Sequence, residues 1–273
     1  MANEVQKIDP SANLPAYLQD TEVTDVSAKE MAHVIRPPYL KLVQSNTAAE
    51  LREACGVGST ILMPNQEFVA KHRTPFTFTP LYFFREWWAR TPYQMRNEVP
   101  SIIDRTRDPK SATAQFAMNP GTRRMTKQVT RLDGGTTTCE VQYMEVLNWL
   151  VWLWGLEGAE PAILSLSVGK YRDGQILADL IKKRGRNQFA CVFQATVADV
   201  RKNTKGTESY GWDFSNPVEG PAWVEDPERY ALFAALNKRA AESQIEFDLD
   251  DTDEVEGSSA LDASMSDLDS DDV

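Results

Sequence analysis

The sequence predicts a mainly β chain with α insertions, folded as a small mixed or antiparallel barrel and followed by an acidic, disordered C-terminal tail. Three observations predict it. About seven β-prone segments are separated by mostly short connections, and one amphipathic helical stretch is inserted between strands. The charge is also split along the chain: residues 241–273 hold 13 acids and no Lys or Arg, and residues 1–34 hold six acids against two lysines. With a formal net charge of −11 over 273 residues, residues 35–240 therefore carry +6. An acidic protein contains a basic domain.

The three parts are read as a mobile N-terminal arm (1–34) with a short helix near Ser27–His33, a domain (35–240) and the tail (241–273). The tail has too little apolar surface to offset the entropy of ordering it. In the domain, Pro37 and Pro38 bias their predecessors to extended backbone, and Tyr39–Gln44 alternates as a first strand. A helical turn at Ala48–Ala54 ends at Gly56 and Gly58. Ser59–Met63 and Glu67–Lys71 form a hairpin around Pro64-Asn65-Gln66.

Thr74–Arg90 is the densest aromatic run. As a strand it points Tyr82, Phe84, Glu86 and Trp88 one way and Leu81, Phe83, Arg85 and Trp87 the other. Residues 91–124, rich in Pro and Arg, predict a long basic excursion, and long loops within domains are commonly functional. Met125–Arg131 and Thr136–Trp154 read as strands about a Gly134-Gly135 turn, the end of the second being equally compatible with a buried helix by periodicity alone.

Ala162–Val168 is a strand, and Gln175–Lys183 is a helix with Ile176, Leu177, Leu180 and Ile181 on one face and four cations at its end. Phe189–Val200 and Thr207–Phe214 form a hairpin with a basic RKNTKG loop, and a final helix starts at Asp226. This count and order fit an OB-like barrel with insertions.

Enzyme signatures are missing: there is no GxGxxG after a strand, no GxxxxGK[ST], no HExxH and no GxSxG. Gly56-Val57-Gly58 reads as a turn, and Cys55 and His72 are too separated to be read as a nucleophile pair. The tail acids around Asp248–Asp253 fail the EF-hand pattern, which needs a Gly at its sixth position. No catalytic residue, metal site or cofactor is expected. Three scattered cysteines argue for a reducing compartment, hence the cytoplasm, or the host cytoplasm if the chain is phage-encoded. The longest strongly apolar stretch, Leu147–Leu156, is too short for a membrane helix.

What stands out is the interleaving of cations and aromatic rings, the combination by which proteins hold single strands: cations track phosphates and rings stack on bases, at about 1–3 kcal/mol per base. The candidate nucleic-acid-binding residues are Tyr82, Arg85, Trp88, Arg90, Arg124, Lys127, Lys170, Tyr171, Arg172, Lys182, Lys183, Arg201, Lys202, Lys205, Tyr210 and Trp212. Of these, Tyr82, Trp88, Tyr171, Tyr210 and Trp212 are the expected stacking rings. An aromatic row on one strand face is more often core, so some of Tyr210, Trp212, Phe214, Phe83 and Trp87 are expected inside.

RPPYLKLVQS (36–45), TPLYFFREW (79–87), ILSLSVGKYRDGQILADLIKKRG (163–185) and FQATVADVRKNTKGTESYGWDFS (193–215), followed by the Asp-rich end, resemble in order and pattern the bacteriophage-type OB-fold single-stranded DNA-binding proteins with acidic C-terminal tails. The resemblance implies a barrel that coats exposed DNA in replication, recombination or repair without base preference. It also implies a tail that recruits replication proteins through Asp267, Asp269, Asp271 and Asp272 and competes with DNA for the basic domain. The end Asp-Asp-Val departs from the pattern, which finishes in an aromatic residue. Self-association and the choice between DNA and RNA stay open. The other reading is a structural or adaptor protein whose aromatic strands form a protein interface.

Overall fold

The computed structural model describes residues 34–35, 37–45, 47–95, 97–156, 161–167, 170–198, 200–202, 208–242 and 244–245. The arm, with the helix expected at Ser27–His33, lies outside these residues, as does the tail beyond Ile245. The fold is mainly β with four helices among the described residues.

Two long strands organise it. β5 (Phe76–Arg90) and β8 (Thr136–Leu153) pair antiparallel from Phe78↔Leu153 to Arg90↔Gln142, with one bulge between Pro80 and Tyr82. The ambiguous apolar run at 147–156 is thus strand as far as Leu153. Its residues alternate between two buried faces, which explains why it shows no polar side.

Each long strand has two different neighbours on its outer edge. Along β5, β10 (Phe193–Val197) pairs near the start, and β6 (Ile102–Thr106) pairs near the end. Along β8, β7 (Arg124–Thr130) pairs near the start and β9 (Ala162–Ser167) near the end. The sheet continues past β9 through β2 (Tyr39–Leu42), β3 (Thr60–Met63) and β4 (Glu67–Ala70), and past β10 to β13 (Trp212–Ser215). Among the described residues its end strands β4 and β13 do not pair.

A barrel requires its first and last strands to meet; among the described residues the long central ladder forks and the sheet is not closed, so the structure bears out a mainly β fold with helices and not the OB-like closure. β1 (Val34–Ile35) pairs parallel with β14 (Gln244–Ile245), so the two chain ends of the described region lie side by side. β11 (Arg201–Lys202) and β12 (Glu208–Ser209) prolong the β10–β13 hairpin.

Helices cover both faces. α1 (Ala49–Cys55) supplies Leu51, and α4 (Pro227–Glu242) supplies Phe233, Leu236 and Ala240, to one core with Phe84, Trp88, Val146 and Leu150. α3 (Tyr171–Arg184) covers the opposite face, placing Leu177 against Leu147, Trp149 and Phe193. The 91–124 stretch is folded as well as basic: beyond β6 it forms α2 (Ala112–Met118), capped by the Ser111 hydroxyl accepting from the Ala114 N–H at 3.1 Å. Ala114 and Ala117 then pack on Trp87, Val141 and Tyr143 as a third core beyond α3. Small residues spaced three apart could have revealed that helix face in the sequence. No helix among the described residues is long and apolar enough to cross a membrane.

Candidate nucleic-acid interface

The sequence-selected cations gather mainly on the sheet face that carries α3 and α2. α3 lies close to the sheet because residue 174 is glycine: a Cβ there would stand 2.9 Å from Leu147 Cδ1 and 3.3 Å from Leu166 Cβ. One position earlier, the fully buried Asp173 carboxylate accepts the Trp212 N–H at 3.1 Å, tying the helix start to β13.

Tyr171 is thereby held over β8, where its hydroxyl donates to Glu145 Oε2 at 2.8 Å. The other carboxylate oxygen of Glu145 meets Arg85 Nε at 2.7 Å, with Arg85 half exposed. Burial, then the hydrogen bond to Glu145 and its charge, push the Tyr171 phenol up from 10.0 to about 12, against the opposing pull of Arg85 and Arg123. A neutral phenol results, beside one carboxylate and the guanidinium groups of Arg85 and Arg123.

Two of the cations ride on aromatic rings. Lys127 stands 4.5 Å from the Phe116 centroid and 5.0 Å from that of Tyr143, and Lys170 stands 5.0 Å from that of Trp212. Arg124 is exposed and 4.0 Å from Glu140. Arg172, Lys182 and Lys183 are exposed on α3, the two lysines in its last turn, where they also complement the helix dipole. Arg90 is half-buried at the end of β5, opposite Gln142.

The expected stacking rings fare unevenly. Trp88 and Trp212 are each 1% exposed, so both are core rather than stacking surface. Each also spends its indole N–H inside, Trp88 on Glu86 at 3.1 Å and Trp212 on Thr60 Oγ1 at 3.2 Å. The physical reason is the two-sided burial of the sheet, which leaves neither strand face open at these positions. Tyr82 is half-buried and stacked on Phe84 at 6.1 Å. Tyr210 is half-buried, edge-on to His72 at 5.2 Å, with its backbone bonded both ways by the Gln44 amide.

Arg201 and Lys202 lie in β11, while Lys205 and the tail residues Asp267, Asp269, Asp271 and Asp272 fall outside the described residues.

Sequence reasoning missed the most tightly bonded charged group. On the α4 face of β5, Glu86 is 3% exposed and accepts from Arg105 Nε at 2.9 Å, Arg107 Nε at 3.1 Å, Trp88 Nε1 at 3.1 Å and Asn148 Nδ2 at 3.2 Å. Arg105 lies 5.3 Å from the Trp88 ring and Arg107 4.1 Å from that of Phe84. The signal was present: a lone Glu inside an aromatic strand requires cationic partners, and IIDRTRD supplies two arginines at strand spacing. Among the described residues no group of three or more His, Cys, Asp and Glu gathers to hold a metal. Compared with known protein families, curated proteins and solved structures, the chain matches none.

Proposed function

We propose that this chain binds single-stranded DNA without regard to base sequence and coats exposed strands in DNA replication, recombination or repair, as bacteriophage-type single-stranded DNA-binding proteins do. The observation that carries the reading is the opposition of charge: a +6 domain beside a 33-residue segment with 13 acids. A positive surface attracts phosphates and releases their counterions, which makes binding steeply salt-dependent. Arg85, Lys127, Lys170, Arg172, Lys182 and Lys183 on one face offer that surface, and the half-buried Tyr171 and Tyr210 are its remaining stacking rings, while Tyr82 packs on the opposite face with Phe84 and Trp88. The tail, through Asp267, Asp269, Asp271 and Asp272, recruits replication and recombination proteins and competes with DNA for the same cations.

The test is fluorescence anisotropy of a labelled oligo-dT, beside a duplex and an oligo-U of equal length, with full-length protein and a 1–245 truncation that keeps β14. Expected are tighter binding of the single strand than of the duplex, weakening with salt, and tighter binding still after truncation at low salt. No binding by either protein at low salt overturns the reading, and equal affinities of the two remove the competition by the tail.

A further inference from the structure

Trp223 carries the combination the sequence reading sought elsewhere. Of the seven tryptophans it is the one whose residue stands exposed, at 40%, while Trp87, Trp88, Trp149 and Trp212 are at most 4% exposed and Trp152 and Trp154 are half-buried. Single exposed apolar residues are ordinary on protein surfaces. Its setting is not.

The Trp223 backbone is locked: it bridges Cys191, with Val192 N–H donating to Ala222 C=O and Val224 N–H to Ala190 C=O, both at 3.0 Å. The main chain that carries the ring is thus fixed in place, with the ring outside the buried cores. Arg184, from the last turn of α3, sets its guanidinium 4.9 Å from the ring centroid and is itself held by donating to Asn216 Oδ1 at 2.7 Å. Gly185 at φ +61° ends the helix there, and Lys182, Lys183 and Arg186 are exposed on either side of it. Four cations within five residues therefore stand at the helix end from which Arg184 reaches one exposed indole.

Resting on the nucleic-acid reading above, we propose that Trp223 and the C-terminal end of α3 form a base-stacking site for the single strand. One base stacks on Trp223, and the flanking phosphates meet Lys182, Lys183 and Arg186. Arg184 acts as a positioning residue that orients the ring. A 14-residue helix is about 21 Å long, so a strand lying along α3 connects Lys170 and Arg172 at its start with Trp223 at its end. A ring that every base can stack on gives affinity without sequence preference.

The experiment is an oligo-dT titration read at once by anisotropy of a labelled oligonucleotide and by intrinsic tryptophan fluorescence. Wild-type protein is expected to bind with quenching of its fluorescence. Trp223→Phe keeps an aromatic face, so binding persists while the quenching is lost. Trp223→Ala weakens binding about 5- to 150-fold, the loss of one stacked base, with an unchanged urea midpoint because the ring is outside the cores. If wild type binds but Trp223→Ala binds equally well, or Trp223→Phe still quenches, the stacking site is wrong and the nucleic-acid reading stands. If wild type does not bind at low salt with or without its tail, that reading fails and takes this site with it.

Discussion

Arg85 and Glu86 are neighbours on one strand, yet they anchor two clusters of opposite character on the two faces of the sheet. On the α4 face, Glu86 is 3% exposed, and four side chains, two of them arginines, donate to it. On the α3 face, Arg85 is 50% exposed and meets a single carboxylate, whose other oxygen takes the Tyr171 hydroxyl. A charge taken from water must recover its solvation from fixed donors, so the buried cluster binds its cations to the fold. Arg85, half exposed, lost less solvation on folding and leaves its guanidinium able to meet a phosphate. Cations alike in the sequence thus divide into structural and surface groups by the depth of the carboxylate they face.

That division sets the largest expected effect. Arg105→Ala leaves Glu86 buried with half its ionic partners gone and should lower the free energy of unfolding by about 3 kcal/mol. Arg85→Ala should change it by less than about 1 kcal/mol while making oligo-dT binding weaker and less salt-dependent, by about 0.7 in the logarithmic slope for one lost phosphate contact. Urea denaturation and salt titrations of both variants check this. Equal destabilisation by the two would abolish the distinction between the clusters.

The same contrast explains how much of the fold and site could be read from the sequence. Alternation and helical spacing are local properties, so the sequence located β5 and α3 and set Tyr82, Phe84 and Trp88 against Phe83 and Trp87. But it placed Leu81 on the wrong face: the bulge between Pro80 and Tyr82 turns Leu81 to the side of Phe84 and Trp88. Periodicity could not say that both faces are covered, since α4 arrives more than 130 residues after β5. Trp88 and Trp212 therefore looked available when they are core. Trp223, in a Pro-rich segment without periodicity, gave no sign of its exposure. The open sheet was hidden for a similar reason: strand counts say nothing about whether the outermost strands meet, and that depends here on the two long strands each holding two neighbours on one edge.

Gly174 offers a smaller and more selective perturbation, because it sets how closely α3 approaches Leu147 and Leu166 without touching the Glu86 cluster. Alanine normally favours a helix interior over glycine by about 1 kcal/mol. Here its methyl group enters filled space, where overpacking costs about 1–3 kcal/mol. Gly174→Ala should therefore be destabilising by about 1 kcal/mol in urea, and Leu147→Val in the same chain should recover part of it by removing the nearest carbon. Because the helix start would be lifted, oligo-dT binding should weaken with it. Stabilisation by Gly174→Ala would mean that α3 has room to spare and that its closeness does not hold Tyr171 over Glu145.

The finest comparison is between Tyr171 and the same ring without its hydroxyl. In the native state the phenol titrates at about 12, in the unfolded chain near 10.0, chiefly because burial disfavours the phenolate and secondarily because the proton is shared with Glu145. The native state therefore holds the proton more tightly. Its contribution to stability is complete below pH 10 and is lost as pH rises through 10 towards 12, where the unfolded chain is already ionised and the native one must follow. Tyr171→Phe cannot take part in this titration. The difference in unfolding free energy between wild type and Tyr171→Phe should be constant from pH 7 to 9, about 1 kcal/mol for the lost hydrogen bond, and should shrink between pH 10 and 12. Subtracting the variant's curve also removes the other tyrosines, which titrate in both proteins. A difference that stays flat to pH 12 would mean that Glu145 does not hold the Tyr171 proton. Arg85 and Glu145 would then be an ion pair alone, with the start of α3 held over them by Gly174 and Asp173.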